Sequence, residues 1–361
     1  MSDRKQRRTA IWAVTPNGAA LARSIAGQID NSTLFFSEKL ALTDDGTIPF
    51  SRLKQAIGEQ FASFNAHIFI MATGIVVRTI AAHLAHKTTD PAVVVCDEAG
   101  QFAISLVSGH VGGANALAHK VATITGSQPV ITTATDVNRL PAIDLIAVKK
   151  GLGIENPEAI KSVNMALLTG GRIGAHDPYG VVLPDLPAGR VSTVAISDLD
   201  RCGAAIFVDH IRLDLPPRVL ILRPGSLVAG MGCNRGTDAE EIRSLLEETC
   251  SKNGLAMTSL RALATVDLKA DEPGMLALAE SLDIPMKLFS RDRLNQVKQI
   301  PTPSATVEKH IGVKSVCEAA ALLATHRGRL IVPKQKTRNV TVAIAADGFT
   351  SSVSAPVTSP T

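Results

Sequence analysis

Residues 66–74 read AHIFIMATG. The short apolar run Ala66–Met71 stops at Ala72-Thr73-Gly74, the pattern of a strand buried on both faces. An Ala/Val/Leu-rich stretch follows and predicts a helix over about Ile75–His86. The same alternation extends in both directions. Downstream, AVVVC at Ala92–Cys96 is a second such strand and Phe102–Val107 a third. Ser108-Gly109-His110 then turns the chain into a helix at about Gly113–Thr125, and Pro129–Thr133 is again strand-like. Upstream come a strand at Ala10–Val14, a helix at Gly18–Gln28 and a strand at Ser32–Phe36. Short β-branched runs alternating with amphipathic Ala/Leu segments mean α/β layering.

Beyond residue 150 the character changes. Asn156 is a plausible N-cap and Pro157 a first helical residue for a helix to about Leu168. Short strands are expected at Gly180–Leu183, Val191–Ile196 and Ala204–Val208, and Pro216-Pro217 marks a boundary before a strand at Val219–Leu222. A last unit opens at Ser226–Gly232; Thr237 and Glu240 have capping-box spacing before a helix to Lys252. Helices at Gly274–Ser281 and Ser315–Thr325 and strands at Leu330–Pro333 and Val340–Ala345 complete it. The expected fold class is therefore α/β: two three-layer α/β domains with a small mixed middle domain. The expected boundaries are 1–148, 149–217 and 218–347, with a frayed Ser/Thr/Pro-rich tail over 348–361.

Composition narrows the function. With 361 residues the chain can build more than one core. Aromatics are 3% of it, too few for the stacking platforms of single-stranded nucleic-acid binding. The net charge of +4 suits an acidic small molecule and leaves no nucleic-acid footprint. No apolar run reaches the roughly 20 residues that span a bilayer, and the apolar stretch after the basic start is too short for a signal peptide. Cys96, Cys202, Cys233, Cys250 and Cys317 are odd in number and contain no C-x-x-C pair, which argues against a disulfide framework or structural zinc and for a reducing cytoplasm.

The densest polar cluster runs from Asp97 to Asp136. Asp97 and Glu98 follow one strand; Ser108, His110, Gly112, Gly113 and Asn115 lie at a strand-to-helix junction; Thr132, Thr133, Thr135 and Asp136 follow another strand. Ligands in open α/β sheets bind beyond the carboxyl ends of strands, so three neighbouring strand ends are expected to form a site. Ordinary turn chemistry is the better reading for any one of these residues; the cluster as a whole favours a site. A second candidate is GMGCNRG at Gly230–Gly236, read as strand, glycine turn and helix. Its third glycine is one position late for a dinucleotide fingerprint and no P-loop lysine follows, leaving an anion site aided by Arg235 or a plain tight turn. Asp271 and Pro273 read as a helix cap, Asp267 and Lys269 remain unexplained by it, and a metal site from Asp267, Asp271 and Glu272 lacks a histidine. Cys233 reads as a packed thiol, and His83 and His86 as surface residues.

Together these stretches resemble the cobalt-precorrin 5A hydrolase family of anaerobic cobalamin biosynthesis (CbiG-like). The resemblance is carried by MATGIVVRTIAAHL (71–84), DPAVVVCDEAGQFAISLVSGHVGGANALA (90–118), PVITTATD (129–136), LVAGMGCNRGT (227–237), SLRALATVDLKADEPGMLALA (259–279) and LIVPKQKTRNVTVAIA (330–345). It implies a hydrolase acting on a cobalt-bearing corrinoid whose ring A acetate is closed as a δ-lactone on C20. Opening the lactone releases C20 with its methyl group as acetaldehyde and leaves cobalt-precorrin 5B. Cobalt belongs to that substrate, so no cofactor and no protein-bound metal are implied. The partner expected is the small-molecule corrinoid, with no nucleic acid and no membrane; a homodimer and transient contact with other enzymes of the pathway are compatible.

A flat polyanionic ring needs cationic and N–H donors around an apolar floor. The residues expected to hold it are Gly74, Arg78, Ser108, Gly112, Gly113, Asn115, Thr133, Asp136, Gly232, Arg235, Asp267 and Lys269, with Lys87 as a further rim cation. For catalysis, His110 is the expected base or proton shuttle, Glu98 or Asp97 its partner or alternative, and the Gly112 and Gly113 amides the oxyanion donors. A non-catalytic corrinoid carrier or chaperone is the rival reading, and a nucleotide-dependent oxidoreductase using Gly230–Gly236 a weaker one.

Overall fold

The computed structural model describes residues 8–40, 46–86, 89–298, 300–303, 313 and 315–348. Lys87 and the tail from 349 onward lie outside the described residues. The chain divides into two units, Met1–Leu145 and Ile146–Thr361.

The first unit is built on seven strands: β1 (Thr9–Ala13), β2 (Ser32–Ser37), β3 (Thr47–Phe50), β4 (Ala66–Ile70), β5 (Ala92–Cys96), β6 (Phe102–Val107) and β7 (Gln128–Val130). Their order is β3-β2-β1-β4-β5-β6-β7. The β3-to-β5 pairings are parallel, β5–β6 is antiparallel, and β6–β7 is parallel again. The helices that bear on this sheet are α1 (Pro16–Ala26), α2 (Leu53–Gln60), α3 (Thr73–Ile80) and α4 (Ala114–Thr125). α1 and α4 bury Ala19, Ala22, Ile25, Ala118 and Val121 against Ile11, Ile68 and Val94 on one face. α2 and α3 bury Ile57, Val76 and Ile80 against Trp12, Phe35 and Phe69 on the other. Both faces are covered, which is why β1, β4 and β5 are apolar at nearly every position.

One polar pair is built into that second face. Trp12 stacks on Phe35 at 4.1 Å and donates its indole N–H to His67 Nδ1 at 3.1 Å. His67 Nε2 in turn lies 3.1 Å from the Phe61 carbonyl. Burial pushes the imidazole down to about 4, outweighing the upward pull of that carbonyl. His67 is thus neutral, with its proton on Nε2, so that every polar atom of the pair is satisfied.

The second unit carries two sheets. The first has β8 (Gly153–Ile154), β9 (Ile173–His176), β10 (Val191–Thr193), β11 (Ala204–Val208) and β12 (Val219–Arg223) in the order β10-β9-β11-β12-β8. The second has β13 (Leu227–Cys233), β14 (Leu260–Val266), β15 (Met286–Phe289), β16 (Arg329–Lys336) and β17 (Val340–Ala346) in the order β15-β14-β13-β17-β16. β13, β14 and β15 run parallel, while β17 is antiparallel to both β13 and β16. Among the described residues the remaining helices are α5 (Ala134–Val137), which belongs to the first unit, α6 (Ile143–Lys149), α7 (Ile160–Thr169), α8 (Ala239–Lys252), α9 (Pro273–Ser281), α10 (Arg291–Asn295) and α11 (Val316–Ala324). α8 and α9 pack on one face of the β13 sheet and α11 on the other. The protein is α/β with three mixed sheets.

Several local expectations fail for identifiable reasons. Gly180–Leu183 is not a strand; Asp177 collects the N–H groups of Val181, Val182 and Leu183 and bends the segment, and the strand of this stretch is β9, paired between β10 and β11. Asn156 does hold the N-cap position, with Pro157 first in the 3₁₀ turn Pro157–Ala159 that leads into α7, but its side chain makes no cap hydrogen bond: it accepts from Ile221 N–H and donates to the Val219 carbonyl, tying the segment to β12. The helix after β4 ends at Ile80 and tightens into a 3₁₀ turn over Ala81–His83. No capping box forms, because the Thr237 hydroxyl donates to the Asn234 carbonyl and Asp238 takes the N-cap position of α8. Asp271 likewise yields the cap of α9 to Glu272. β3, β8, β9, β14 and β15 are strands where the sequence gives no such expectation.

Candidate active site

The direction of β6 decides where the polar cluster goes. β6 runs antiparallel to β5, pairing Val107 with Val93 and Ala103 with Cys96. Asp97, just after β5, and Ser108, just after β6, therefore stand at opposite ends of the sheet. A five-residue strand spans about 16 Å. The expectation that Asp97, Glu98 and His110 share one site is overturned on that ground. The antiparallel edge, which apolar runs do not encode, separates them.

Asp97 and Glu98 edge a largely apolar crevice of about 410 Å³ at the carboxyl ends of β1, β4 and β5, between Thr15, Met71, Thr73 and Phe102. Asp97 accepts backbone N–H groups from Ala99, Gln101 and Phe102 at 2.7–2.9 Å. Burial acts upward on its carboxyl, but these N–H groups together hold it below the usual range. A carboxylate so occupied is a poor base. Glu98 is exposed. Gly74 and Arg78 lie on α3, and the exposed Arg78 guanidinium donates to the Gly74 carbonyl at 3.1 Å.

At the other end of the sheet, the residues after β6 and β7 do converge. His110 Nε2 lies 3.0 Å from Asp136 Oδ2 and 2.9 Å from the Thr135 hydroxyl, and Nδ1 lies 3.4 Å from Asp144 Oδ2. The Asp144 carboxylate, opposed by partial burial and assisted by Asp136, holds the imidazole above its ordinary value. Both ring nitrogens face a carboxylate, the arrangement that favours imidazolium. Asn115, 7% exposed, organises the opposite side. Its Nδ2 donates to Asp136 Oδ2 at 3.1 Å and to Thr133 at 3.0 Å, and its Oδ1 accepts from Ser105 at 2.6 Å. Of the expected residues, His110, Asn115, Thr133 and Asp136 thus form one network. Asp144, on the first turn of α6, and Ser105, inside β6, complete it and were not foreseen. An acid at a helix start reads as a dipole partner, and a serine within a strand gives no signal.

The glycines shape the turn that carries His110. A Cβ at Gly112 would lie 2.3 Å from Ser108 Cβ and 2.7 Å from the Ser108 carbonyl, so only glycine fits. Ser108 itself holds φ 58, in the left-handed region, and its hydroxyl has no partner among the described residues. The Gly113 N–H is not available as an oxyanion donor, because it donates to the His110 carbonyl at 2.9 Å. Gly112 instead lines two open hollows, with Lys120 beside one and Asp90 beside the other.

The second candidate motif also changes character. Gly230 and Gly232 lie inside β13, not in a turn. A Cβ on Gly230 would meet the Cys317 carbonyl at 1.8 Å, because α11 crosses the strand there. The glycine serves helix–strand packing, which removes the dinucleotide reading. Arg235 pairs with Asp271 at 3.0 Å and also donates to the Leu268 carbonyl, both side chains being exposed. Lys269 Nζ donates to the buried Glu272 at 2.8 Å, and Glu272 also accepts the Gly236 N–H. Burial raises the Glu272 carboxyl, yet these two donors bring it below its usual value. Asp267 is exposed at the start of a 3₁₀ turn. Burial pushes the Cys233 thiol up, away from thiolate chemistry.

Three family models match successive parts of the chain: Cobalamin synthesis G N-terminal over residues 55–136, Cobalamin biosynthesis central region over 141–224, and Cobalamin synthesis G C-terminus over 227–345. The chain is 36% identical to a cobalt-precorrin-5A hydrolase of Salmonella typhimurium, covering 95% of this chain and 99% of that protein. It is 34% identical to a cobalt-precorrin-5A hydrolase of Priestia megaterium, covering 93% and 94%. A 121-residue stretch is 36% identical to Protein CobE of a Sinorhizobium species, covering 33% of this chain and 79% of that protein. Similarity along nearly the whole length of two such enzymes, with each part matched in order, makes this chain a member of the Cobalamin synthesis G family.

Proposed function

We propose that the protein is a cobalt-precorrin-5A hydrolase that works from the His110 network. The full-length similarity to two enzymes of that name carries the reading. The geometry supports it by placing a proton donor and a carboxylate on the same edge of the sheet. Asp136, 38% exposed, is reachable from solvent, and His110, 15% exposed, stands behind it.

Water adds to the lactone carbonyl as Asp136 takes its proton on Oδ1, since Oδ2 is held by His110 and Asn115. The tetrahedral adduct then expels the C20 oxygen, and the His110 imidazolium supplies the proton that the leaving alkoxide needs. The ester is now a free acetate arm and C20 a secondary alcohol. The His110 imidazole, neutral after its donation, takes the alcohol proton back as the bond between C20 and the ring breaks, the electron pair passes into the conjugated macrocycle, and acetaldehyde departs. Asn115 and Asp144 position this pair: Asn115 fixes Asp136, and Asp144 keeps His110 protonated. His110 thus serves as proton donor rather than as resting base.

The test is anaerobic incubation with the lactone corrinoid, reading acetaldehyde and corrinoid mass together. Wild type is expected to release acetaldehyde in step with loss of the lactone. His110→Ala is expected to lose at least about a hundredfold in rate while still binding the ring. Near-normal turnover in that variant removes His110 from the mechanism; binding without acetaldehyde in wild type makes the protein a carrier.

A further inference from the structure

The β13 sheet carries a pocket that the His110 chemistry does not use. It encloses about 350 Å³ at the carboxyl ends of β13 and β14, next to Cys233, Val266, Val316 and Val340. The chain reverses its winding at β13: β14 and β15 are laid down on one side, β17 and β16 on the other. Such a reversal point is where open α/β sheets bind ligands. Ser315 and Val316, at the start of the nine-residue α11, also line the pocket, so the positive end of a helix faces it.

The charge around this hollow is one-sided. Lys269, Lys334, Lys336 and Arg338 line it. Lys269 is committed to Glu272. Lys334 Nζ donates to a neutral acceptor, the Thr302 carbonyl, at 2.7 Å. Lys336 and Arg338 are exposed, and the described residues place no carboxylate in ion-pair contact with either. The nearby acids are otherwise engaged: Glu318 takes the N–H groups of Thr302 and Lys334 and the Thr302 hydroxyl, and Glu241 takes the Asn339 amide. Lys334, Lys336 and Arg338 therefore line the pocket with no ion-pair partner among the described residues. An independent sign of a missing ligand is Thr265, 1% exposed and lining the pocket, whose hydroxyl has no partner among the described residues. Buried hydroxyls are ordinarily bonded.

We infer that this pocket is a carboxylate-arm site for the corrinoid: Lys334, Lys336 and Arg338 receive acetate or propionate arms, Thr265 donates to one carboxylate, and the valines take the methylene stems. The inference rests on the corrinoid reading above for its ligand, but not on the hydrolysis.

The probe is cobyrinic acid, a corrinoid with free carboxylate arms, titrated against the full chain at low salt by calorimetry, with its fully amidated counterpart as control. Wild type is expected to bind the acid and not the amide. Lys336→Ala/Arg338→Ala is expected to weaken binding at least tenfold and to reduce its salt dependence. Thr265→Val, nearly isosteric, is expected to weaken binding several-fold. Circular dichroism confirms that each variant is folded, which the exposure of Lys336 and Arg338 favours. Equal affinity for acid and amide, or unaltered affinity in the double variant, overturns the site. Cation-dependent binding without acetaldehyde release upholds it while removing the hydrolase reading.

Discussion

His67 and His110 titrate in opposite directions, and each leaves a signature in stability. His67 is depressed to about 4 by burial. As pH falls below the ordinary value of about 6.5, the unfolded chain takes up a proton that the folded chain refuses until about 4, so stability falls across that window by roughly 3 kcal/mol. His110 is raised by Asp144 and Asp136. Its contribution is fully present below about pH 6.5 and fades as pH rises through its shifted value. Urea unfolding at pH 4, 7 and 9 separates the two, the acid step reading His67 and the alkaline step His110. His67→Gln, which can still accept from Trp12 and donate to Phe61, is expected to flatten the acid loss; an unchanged slope would assign that loss to other groups. His110→Asn is expected to leave the acid limb alone and to remove a loss above neutrality. In catalysis the same raised value predicts that acetaldehyde release declines on the alkaline side, as imidazolium is lost. A rate that rises with pH through that region would make His110 a base instead.

Elements were legible where periodicity and length agree. β1, β4, β5, β6 and β11 fall within a residue or so of the apolar runs that announce them. Pairing direction was not legible. Nothing in FAISLV tells an antiparallel strand from a parallel one, and that single reversal divides the polar cluster between two ends of the sheet. Sequence spacing did bring His110, Asn115, Thr133 and Asp136 together correctly, because β6 and β7 run parallel and end on the same side. Asp144 was missed because its role depends on how α6 returns to the turn at His110. The glycines of β13 were misread for a related reason: a glycine that admits a loop and one that admits a helix look alike in sequence. Gly230→Ala tests this, since a methyl group 1.8 Å from the Cys317 carbonyl must push α11 off the strand. The expected cost is about 3 kcal/mol or more. Gly203→Ala, with no atom within 4 Å of its Cβ, is expected to stay within about 0.5 kcal/mol of wild type. Equal losses in chemical denaturation would show that glycine's backbone freedom, not the close approach of α11, is what β13 needs.

At the scale of the whole molecule, the unit Ile146–Thr361 holds two sheets, and Arg223 is central to their connection. It lies at the end of β12 and is 1% exposed. Its guanidinium donates to the carbonyls of Asp209 and Ile211, at 2.8 and 2.6 Å, and pairs with Glu155 beside β8. The segment it grips continues into the β13 sheet. Ile211 bridges Leu255, the Arg212 N–H donates to the Gly254 carbonyl, and the Ala256 N–H donates to the His210 carbonyl. Arg223→Ala would strip two buried carbonyls of their donor and loosen β8 at the same time. Glu155, 38% exposed, is resolvated by water and adds little, so the cost comes from the carbonyls left without a donor, about 1–3 kcal/mol each. In a unit of this size that lowers the unfolding midpoint by roughly 10 °C. Lysine offers its donors from a single point and cannot span both carbonyls and Glu155, so Arg223→Lys is expected to recover only a minor part. Thermal unfolding followed by calorimetry checks both variants. A midpoint within a degree or two of wild type for Arg223→Ala would mean that the pairing at residues 254–256 alone joins the two sheets, and that the guanidinium is solvated in place rather than structural.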